Sequence, residues 1–326
     1  MFFVILYIVG IVLLGSCSWR KSGEGSGSPP AVYTRSASSI LTYRAVLEGT
    51  VNPNGSAADA WFEYGTDPAL PAWTGTPRQA KQPVTTPLSF RAPILGLYPF
   101  TTYYYRAVAS NGFGTQKGDI RTFPTGEYYV AVGDSITRAE GGRGYEPMLS
   151  DLLTNSKGYP NTVANWGVAG ATSAGGAKTI SLTLSTVPWA KYFLLMYGTN
   201  DARLPEAVPS GKGLRPGDPG YSGSYKENMQ RIISAIRSAG NIPYLAKVPY
   251  ATSPSIDISS VREYNVVVDE LVAANDIAVT PPAFFAYFQK HQDEIPDGIH
   301  PNRIGYESMA NLWFIALTQS KVPFSR

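Results

Sequence analysis

Near residue 125 the hydrophobic pattern of the chain changes its period, and no single layer architecture serves both halves. Before that point, short apolar or aromatic runs ("RAVLEGTV", "DAWFEYG", "TYYYRAVASNGFG") alternate with turn signals such as "NPNGS" and a Pro/Gly/Thr stretch. No helical period is present, and strands at this spacing predict a small all-β sandwich over residues 31–125. In "TTYYYRAVAS" a strand puts Tyr103, Tyr105, Ala107 and Ala109 on one face and Tyr104, Arg106 and Val108 on the other. After "FPTGE" the runs become continuous: "YYVAV", "TVANWGV", "WAKYFLLMYG" and "NIPYLAKV" read as strands buried on both faces. Between them lie helical patterns. "YEPMLSDLL" is one. "YKENMQRIISAIRSAG" puts Met229, Ile232, Ile233 and Ile236 on one face and closes at Gly240. Ser260 and Glu263 read as a capping box before "YNVVVDELVAAN", and Pro301 as the opening of a last helix. Alternating strand and helix predict an α/β domain over residues 126–326, a parallel sheet with helices on both sides.

The chain has 326 residues, 44% of them hydrophobic and 16% charged, which suits two globular domains. A net charge of +3 without a long basic run leaves no electrostatic footprint for nucleic acid. One cysteine, Cys17, and two histidines, His291 and His300, rule out an intramolecular disulfide and a cysteine metal site. They also argue against a His-rich metal site, and nothing in the sequence calls for a cofactor.

Ligands of parallel α/β sheets sit at the carboxyl ends of the strands, so the residues that end the apolar runs matter most. The first run ends in Gly133-Asp134-Ser135 and the second leads into "NWGVAGATSAG". The third ends in "YGTND", and near the end of the chain stands "DGIHPN". Serine acyl transfer needs a base for the hydroxyl, a carboxylate to orient that base, and fixed donors for the oxyanion. Ser135 offers the hydroxyl, His300 the base, and Asp297 the carboxylate three residues before it. The N–H groups of Ser135 and Gly170 and the Asn200 amide offer the donors. A glycine at 170 lets a substrate oxygen approach the backbone. Asp134 reads as a hydrogen-bonding structural residue, Asp201 as support for the Asn200 loop, and His291 as a surface residue. Each piece alone also has a plain reading as a turn or cap; the ordered set does not.

The four blocks resemble those of the SGNH hydrolases, the GDSL esterase/lipase family: Gly133-Asp134-Ser135, Gly167 to Thr172 in a G-x-x-G-x-T context, Gly198-Thr199-Asn200-Asp201, and Asp297 to Pro301 as D-x-x-H-P. They stand in the family's order across residues 128 to about 318. The resemblance implies a flavodoxin-like three-layer α/β/α fold and metal-free ester hydrolysis by Ser135, Asp297 and His300. It leaves the substrate open between short-acyl esters, including acetylated sugars, and lipids or thioesters. A surface binding protein carrying an inactive hydrolase domain is the alternative from another class. The Gly/Pro-rich segment "ARLPEAVPSGKGLRPGDPGYSGS" starts at the rim of the expected site and is a candidate to shape its acyl or alcohol pocket.

The N-terminal half carries its own likeness. Leu97, Pro99, Thr101, Tyr103, Arg106, Ala109, Asn111 and Gly114 resemble the fibronectin type III pattern, and "GTVNPNGSAADAWFEYGT" its bacterial branch. A spacer is the expected role, ahead of carbohydrate binding. Residues 1–16 resemble a bacterial lipoprotein signal that ends in Leu14-Gly15-Ser16-Cys17, although no Lys or Arg precedes its apolar core. That likeness implies cleavage before Cys17, lipidation of it, and a place in the cell envelope; a plain signal peptide followed by a chance cysteine, with the protein secreted, is the alternative. Ser18 after the cysteine points to the outer membrane where the host has one. Residues 17–30, "CSWRKSGEGSGSPP", read as a tether.

Overall fold

The computed structural model describes residues 27–139 and 143–319. Cys17, the apolar N-terminus and most of the tether lie outside the described residues.

Nine strands form two antiparallel sheets over the first part of the chain. β1 (Ala31–Thr34), β2 (Arg44–Asn52) and β6 (Leu88–Leu95) make one sheet. β3 (Ala58–Gly65), β4 (Thr74–Gly75), β5 (Gln79–Lys81), β7 (Thr102–Asn111), β8 (Gly114–Lys117) and β9 (Arg121–Pro124) make the other. Burial alternates along β2, so every second residue points into a core shared by both sheets. On β7 the predicted face Tyr103, Tyr105, Ala107 and Ala109 is buried in that core. Val108, on the opposite face, is buried as well. The Tyr103 hydroxyl accepts from the Tyr98 N–H at 3.0 Å, a corner that ties the start of β7 to the chain entering it.

The second part is an α/β layer structure. Its parallel sheet runs in the order β11 (Asn161–Gly167), β10 (Glu127–Gly133), β12 (Tyr192–Met196), β13 (Ile242–Leu245). Residues Tyr129 to Val132 and all of β12 are buried, as continuous apolar runs require. The helices are α1 (Ser135–Arg138), α2 (Glu146–Lys157), α3 (Ser173–Thr186), α4 (Tyr225–Ser238), α5 (Ile258–Ala274), α6 (Phe284–Phe288) and α7 (Arg303–Thr318). α2 packs on α7, and α3 on α4 and α4 on α5, giving two helical groups for the two faces of the sheet. Met229, Ile232, Ile233 and Ile236 form the buried stripe of α4, as the sequence predicts. The strand order reverses about β10, so the crevice of the sheet opens at the carboxyl end of that strand.

The all-β part meets this layer at the opposite end. Phe100 N–H donates to the Gly126 carbonyl just before β10, and the Thr42 and Thr162 hydroxyls are 2.9 Å apart.

Three local expectations are corrected. Asp257, not Ser260, caps α5: its side chain accepts from the Ser259 N–H at 3.0 Å. Glu263 instead accepts from Ser210 and Lys212, because a carboxylate one turn inside the helix is free to serve a neighbouring loop. Pro301 stands outside α7, whose cap is Asn302. His291 is half-buried rather than freely exposed, stacked on the Tyr287 ring at 4.1 Å.

Candidate active site

Four chain segments converge at the carboxyl ends of β10, β11 and β12. Asp134 leaves β10 in extended conformation and accepts from the Ile136 N–H at 2.9 Å, which starts the single turn of α1. Ser135 is therefore the first residue of a helix, where a backbone N–H has no intrahelical acceptor. Asn165, near the end of β11, donates to the Thr137 carbonyl at 2.5 Å and closes that turn from below.

The loop after β11 passes through Gly170 at φ +71, with open space around the position of a Cβ. Glycine is needed here for its left-handed backbone, not for room. Thr172 then caps α3 by accepting from the Gly175 N–H. Among the described residues, neither the Ser135 nor the Gly170 N–H has an acceptor.

Past β12, the Asn200 amide donates to the Ala171 carbonyl at 3.1 Å, which joins the third segment to the second. Asp201, wholly buried, accepts from the Ser173 N–H at 2.9 Å and from its hydroxyl at 2.5 Å. Burial raises the Asp201 carboxyl above its ordinary range, against the lowering effect of the Ser173 bonds. Asp201 thus braces the Asn200 loop on the start of α3.

The fourth segment turns through Gly298 at φ +80, whose carbonyl accepts from the N–H groups of Thr252 at 2.9 Å and Ser253 at 3.2 Å. Across this turn Asp297 accepts from the Ile299 N–H at 2.9 Å and the His300 N–H at 2.6 Å. Its second oxygen lies 2.7 Å from His300 Nδ1, and His300 Nε2 lies 2.9 Å from Ser135 Oγ. An ionised carboxylate only accepts, so Nδ1 carries the imidazole proton and Nε2 is left to accept from the serine hydroxyl. Burial would raise the Asp297 carboxyl, but the bonds from the His300 backbone and ring and from the Ile299 N–H hold it below the usual carboxylate range. Ser135 is 6% exposed, whereas the Asp297 side chain is 56% exposed at the rim.

Ser135, His300 and Asp297 are thus within hydrogen-bonding reach of one another in series, and Asn200 is tied to the Gly170 loop through the Ala171 carbonyl. Asp134 and Asp201 lie beneath. Cys17 is outside the described residues. Two residues at the site were not singled out in the sequence. Asn165 gave no signal beyond its place at a strand end. Arg203 donates from Nε to Asn200 Oδ1 at 3.0 Å, and its only sequence signal is a spacing of three within a turn. Among the described residues, no group of three or more His, Cys, Asp or Glu side chains is placed to hold a metal ion.

The model of the GDSL-like Lipase/Acylhydrolase family matches residues 131–307, which include all four segments. No curated protein matches the chain. Among solved structures, the lipase/acylhydrolase from Enterococcus faecalis is 24% identical, with 61% of this chain and 100% of that one covered and a TM-score of 0.45. LAE5, an alpha/beta hydrolase enzyme from the metagenome of Lake Arreo, Spain, is 20% identical over 60% of this chain and 96% of that one, at a TM-score of 0.47. The sensor domain of the anti-sigma factor RsgI4 in Pseudobacteroides cellulosolvens is 24% identical over 30% of this chain and 96% of that one, at a TM-score of 0.26.

Proposed function

The chain belongs to the GDSL-like lipase/acylhydrolase family and is a serine ester hydrolase, and from that premise we propose that Ser135 is its nucleophile, acting on short-acyl esters such as acetylated carbohydrate. The observation that carries the assignment is the series Ser135 Oγ to His300 Nε2 at 2.9 Å and His300 Nδ1 to Asp297 at 2.7 Å. In the proposed reaction Ser135 Oγ attacks the ester carbonyl carbon while Nε2 takes its proton. Asp297 holds the resulting imidazolium. The tetrahedral oxyanion receives the Ser135 and Gly170 N–H groups and the Asn200 amide. His300 then returns the proton to the departing alcohol, and water, activated by the same imidazole, releases the acid from the acyl-enzyme.

The preference for a short acyl group is supported by the course of the segment after Asp201. It does not lie loose over the site. Ser210 and Lys212 bond to Glu263 and Gly213 bonds to Glu270, which ties the segment along α5, and Lys226 of α4 bonds both Glu270 and the Leu214 carbonyl. The N-terminal module, read as fibronectin type III-like, serves as a spacer in this proposal; its packing at the far end of the sheet from Ser135 supports that role. Anchoring of the chain to the cell envelope through Cys17 rests on the sequence Leu14-Gly15-Ser16-Cys17. Cys17→Ala should move the protein from the membrane fraction to the soluble one, and an unchanged distribution would remove the anchor.

Hydrolysis of p-nitrophenyl esters of graded acyl length and of acetylated glycans, wild type beside Ser135→Ala, tests the main reading. Acetyl and butyryl esters should turn over fastest, and the variant should lose a factor on the order of 10⁶ in kcat. A maximum at long acyl chains would replace the short-acyl reading with a lipase or thioesterase. Turnover that survives in Ser135→Ala would remove the serine from the mechanism.

A further inference from the structure

We propose that Arg203 is a positioning residue that locks the Asn200 amide in the one orientation able to receive an oxyanion. The inference rests on the esterase reading of the site. An asparagine amide has two faces of opposite sense, an oxygen that accepts and a nitrogen that donates twice. Turned the wrong way, Asn200 would present Oδ1 to a developing negative charge and oppose the reaction it is placed to assist.

Two neighbours decide the orientation, and both decide it the same way. The Ala171 carbonyl can only accept, so it selects Nδ2, which it meets at 3.1 Å. The Arg203 guanidinium can only donate, so its Nε selects Oδ1, which it meets at 3.0 Å. With one Nδ2 proton on Ala171, the second remains for the substrate. The bond from Arg203 is charge-assisted, and a cation on Oδ1 draws electron density from the amide and strengthens its N–H as a donor. The clamp is itself held. The Arg203 backbone forms an antiparallel bridge with Ile256, and the next residue's N–H, that of Leu204, donates to the Ser255 carbonyl at 2.9 Å. Arg203 therefore prepares an oxyanion donor before substrate arrives, which is where fixed donors gain their advantage over water.

The test is a double-mutant cycle on p-nitrophenyl acetate with Arg203→Ala, Asn200→Ala and the pair, beside wild type and Ser135→Ala. Asn200→Ala should cost about 10²–10³-fold in kcat. Arg203→Ala should cost about 10–100-fold in kcat, with KM little changed, because a donor held loosely or misaligned loses most of its effect. In the Asn200→Ala background the same substitution should cost less than about twofold, since nothing remains to orient. Arg203 is solvent-exposed, so the melting temperature should not move. Should the alanine variant melt lower, Arg203→Met, which keeps the stem, repeats the cycle. Full activity in Arg203→Ala, a loss that is confined to KM, or a loss undiminished in the Asn200→Ala background would each overturn the clamp while leaving the esterase standing. An Asn200→Ala enzyme with unchanged kcat would overturn it too, by removing the donor. Wild type without turnover dependent on Ser135 would overturn both the clamp and the reading beneath it.

Discussion

The loops around Asp134 and Asp297 start from the same local device, yet their carboxyls are shifted in opposite directions. Each aspartate accepts the N–H two residues on, Ile136 for Asp134 and Ile299 for Asp297, both at 2.9 Å. Each thereby bends the chain around a residue of the proposed catalytic series, Ser135 on the first turn of α1 and His300 in the turn that precedes α7. The difference is solvent. Asp134 is 1% exposed, and desolvation, aided by the nearby Asp201 charge, pushes its carboxyl up to about 7 in spite of the Ile136, His300 and Thr199 contacts that oppose it. Asp297 stands at the rim and is held below the ordinary range. A buried aspartate thus serves as a cap, and an exposed, multiply hydrogen-bonded one as a lasting negative charge beside an imidazole. The same residue type does two jobs because depth decides its charge.

The comparison is broken most directly at the exposed side. Asp297→Asn keeps the turn acceptor but removes the charge and lets Nδ1 lose its proton, so kcat should fall on the order of 10³–10⁴-fold. The melting temperature should stay within a degree or two. Retention of most activity would mean that His300 needs no carboxylate here. The next largest effect is expected at Gly298, where a Cβ would meet Ser253 N at 2.7 Å and Thr252 Oγ1 at 2.8 Å, at a φ of +80. Gly298→Ala should push the turn off the Thr252–Ser253 backbone, displace His300 and lower kcat by about 10²-fold. A crystal structure of the variant should show His300 Nε2 drawn away from Ser135; an undisturbed 2.9 Å contact would refute the account.

Much of this site was legible because its pieces end strands. Four apolar runs predicted a parallel sheet, and Gly133, Gly167, Gly198 and their followers are where such a sheet leaves room for chemistry. Ser135, Asp297 and His300 could be named because an acyl transfer needs those types and the chain holds few histidines. What escaped depends on geometry that no spacing encodes. Arg203 reaches Asn200 only because a turn folds back on itself. Asn165 reaches Thr137 only because β11 and α1 pack together. The segment after Asp201 reads from its Gly and Pro content as a rim loop, but Glu263 and Glu270 of α5 hold it through Ser210, Lys212 and Gly213, and two carboxylates on the outside of a helix announce no partner in advance. The S-x-x-E pattern at Ser260 failed for a simpler reason: Asp257, three residues earlier, is as good a cap and came first.

On the buried side the expected effects are on stability before activity. Asp134→Ala removes the cap of α1 and leaves the Ile136 N–H in a buried place without an acceptor. It should cost about 0.5–2 kcal/mol in chemical denaturation, and its effect on kcat should be smaller than that of Asp297→Asn. If instead Asp134→Ala were the more damaging to kcat, the cap reading would be wrong and the carboxyl would belong to the reaction.

The smallest expected effect is a slope against pH. Asp134 and Glu146 are both raised by desolvation to about 7, from ordinary values of 3.8 and 4.5. Glu146 is buried, and among the described residues one of its carboxyl oxygens has no partner, which favours its neutral form. A group whose folded pKa exceeds its unfolded one binds more protons in the native state across the interval between the two values. Its stabilising contribution is therefore whole below about pH 4, declines as pH rises, and is lost once pH passes about 7. The melting temperature of the wild type should accordingly fall between pH 5 and pH 8 by more than that of Asp134→Asn or Glu146→Gln, which keep the shape and cannot ionise. Each kcal/mol removed from the slope corresponds to about 2–4 °C for a domain of this size. Asp297→Asn should leave the slope over that interval unchanged, because a carboxyl held below its ordinary range has already lost its proton there. Parallel curves for wild type and Asp134→Asn would show that the buried aspartate is charged throughout, and the contrast between the two loops would then lie in their geometry alone.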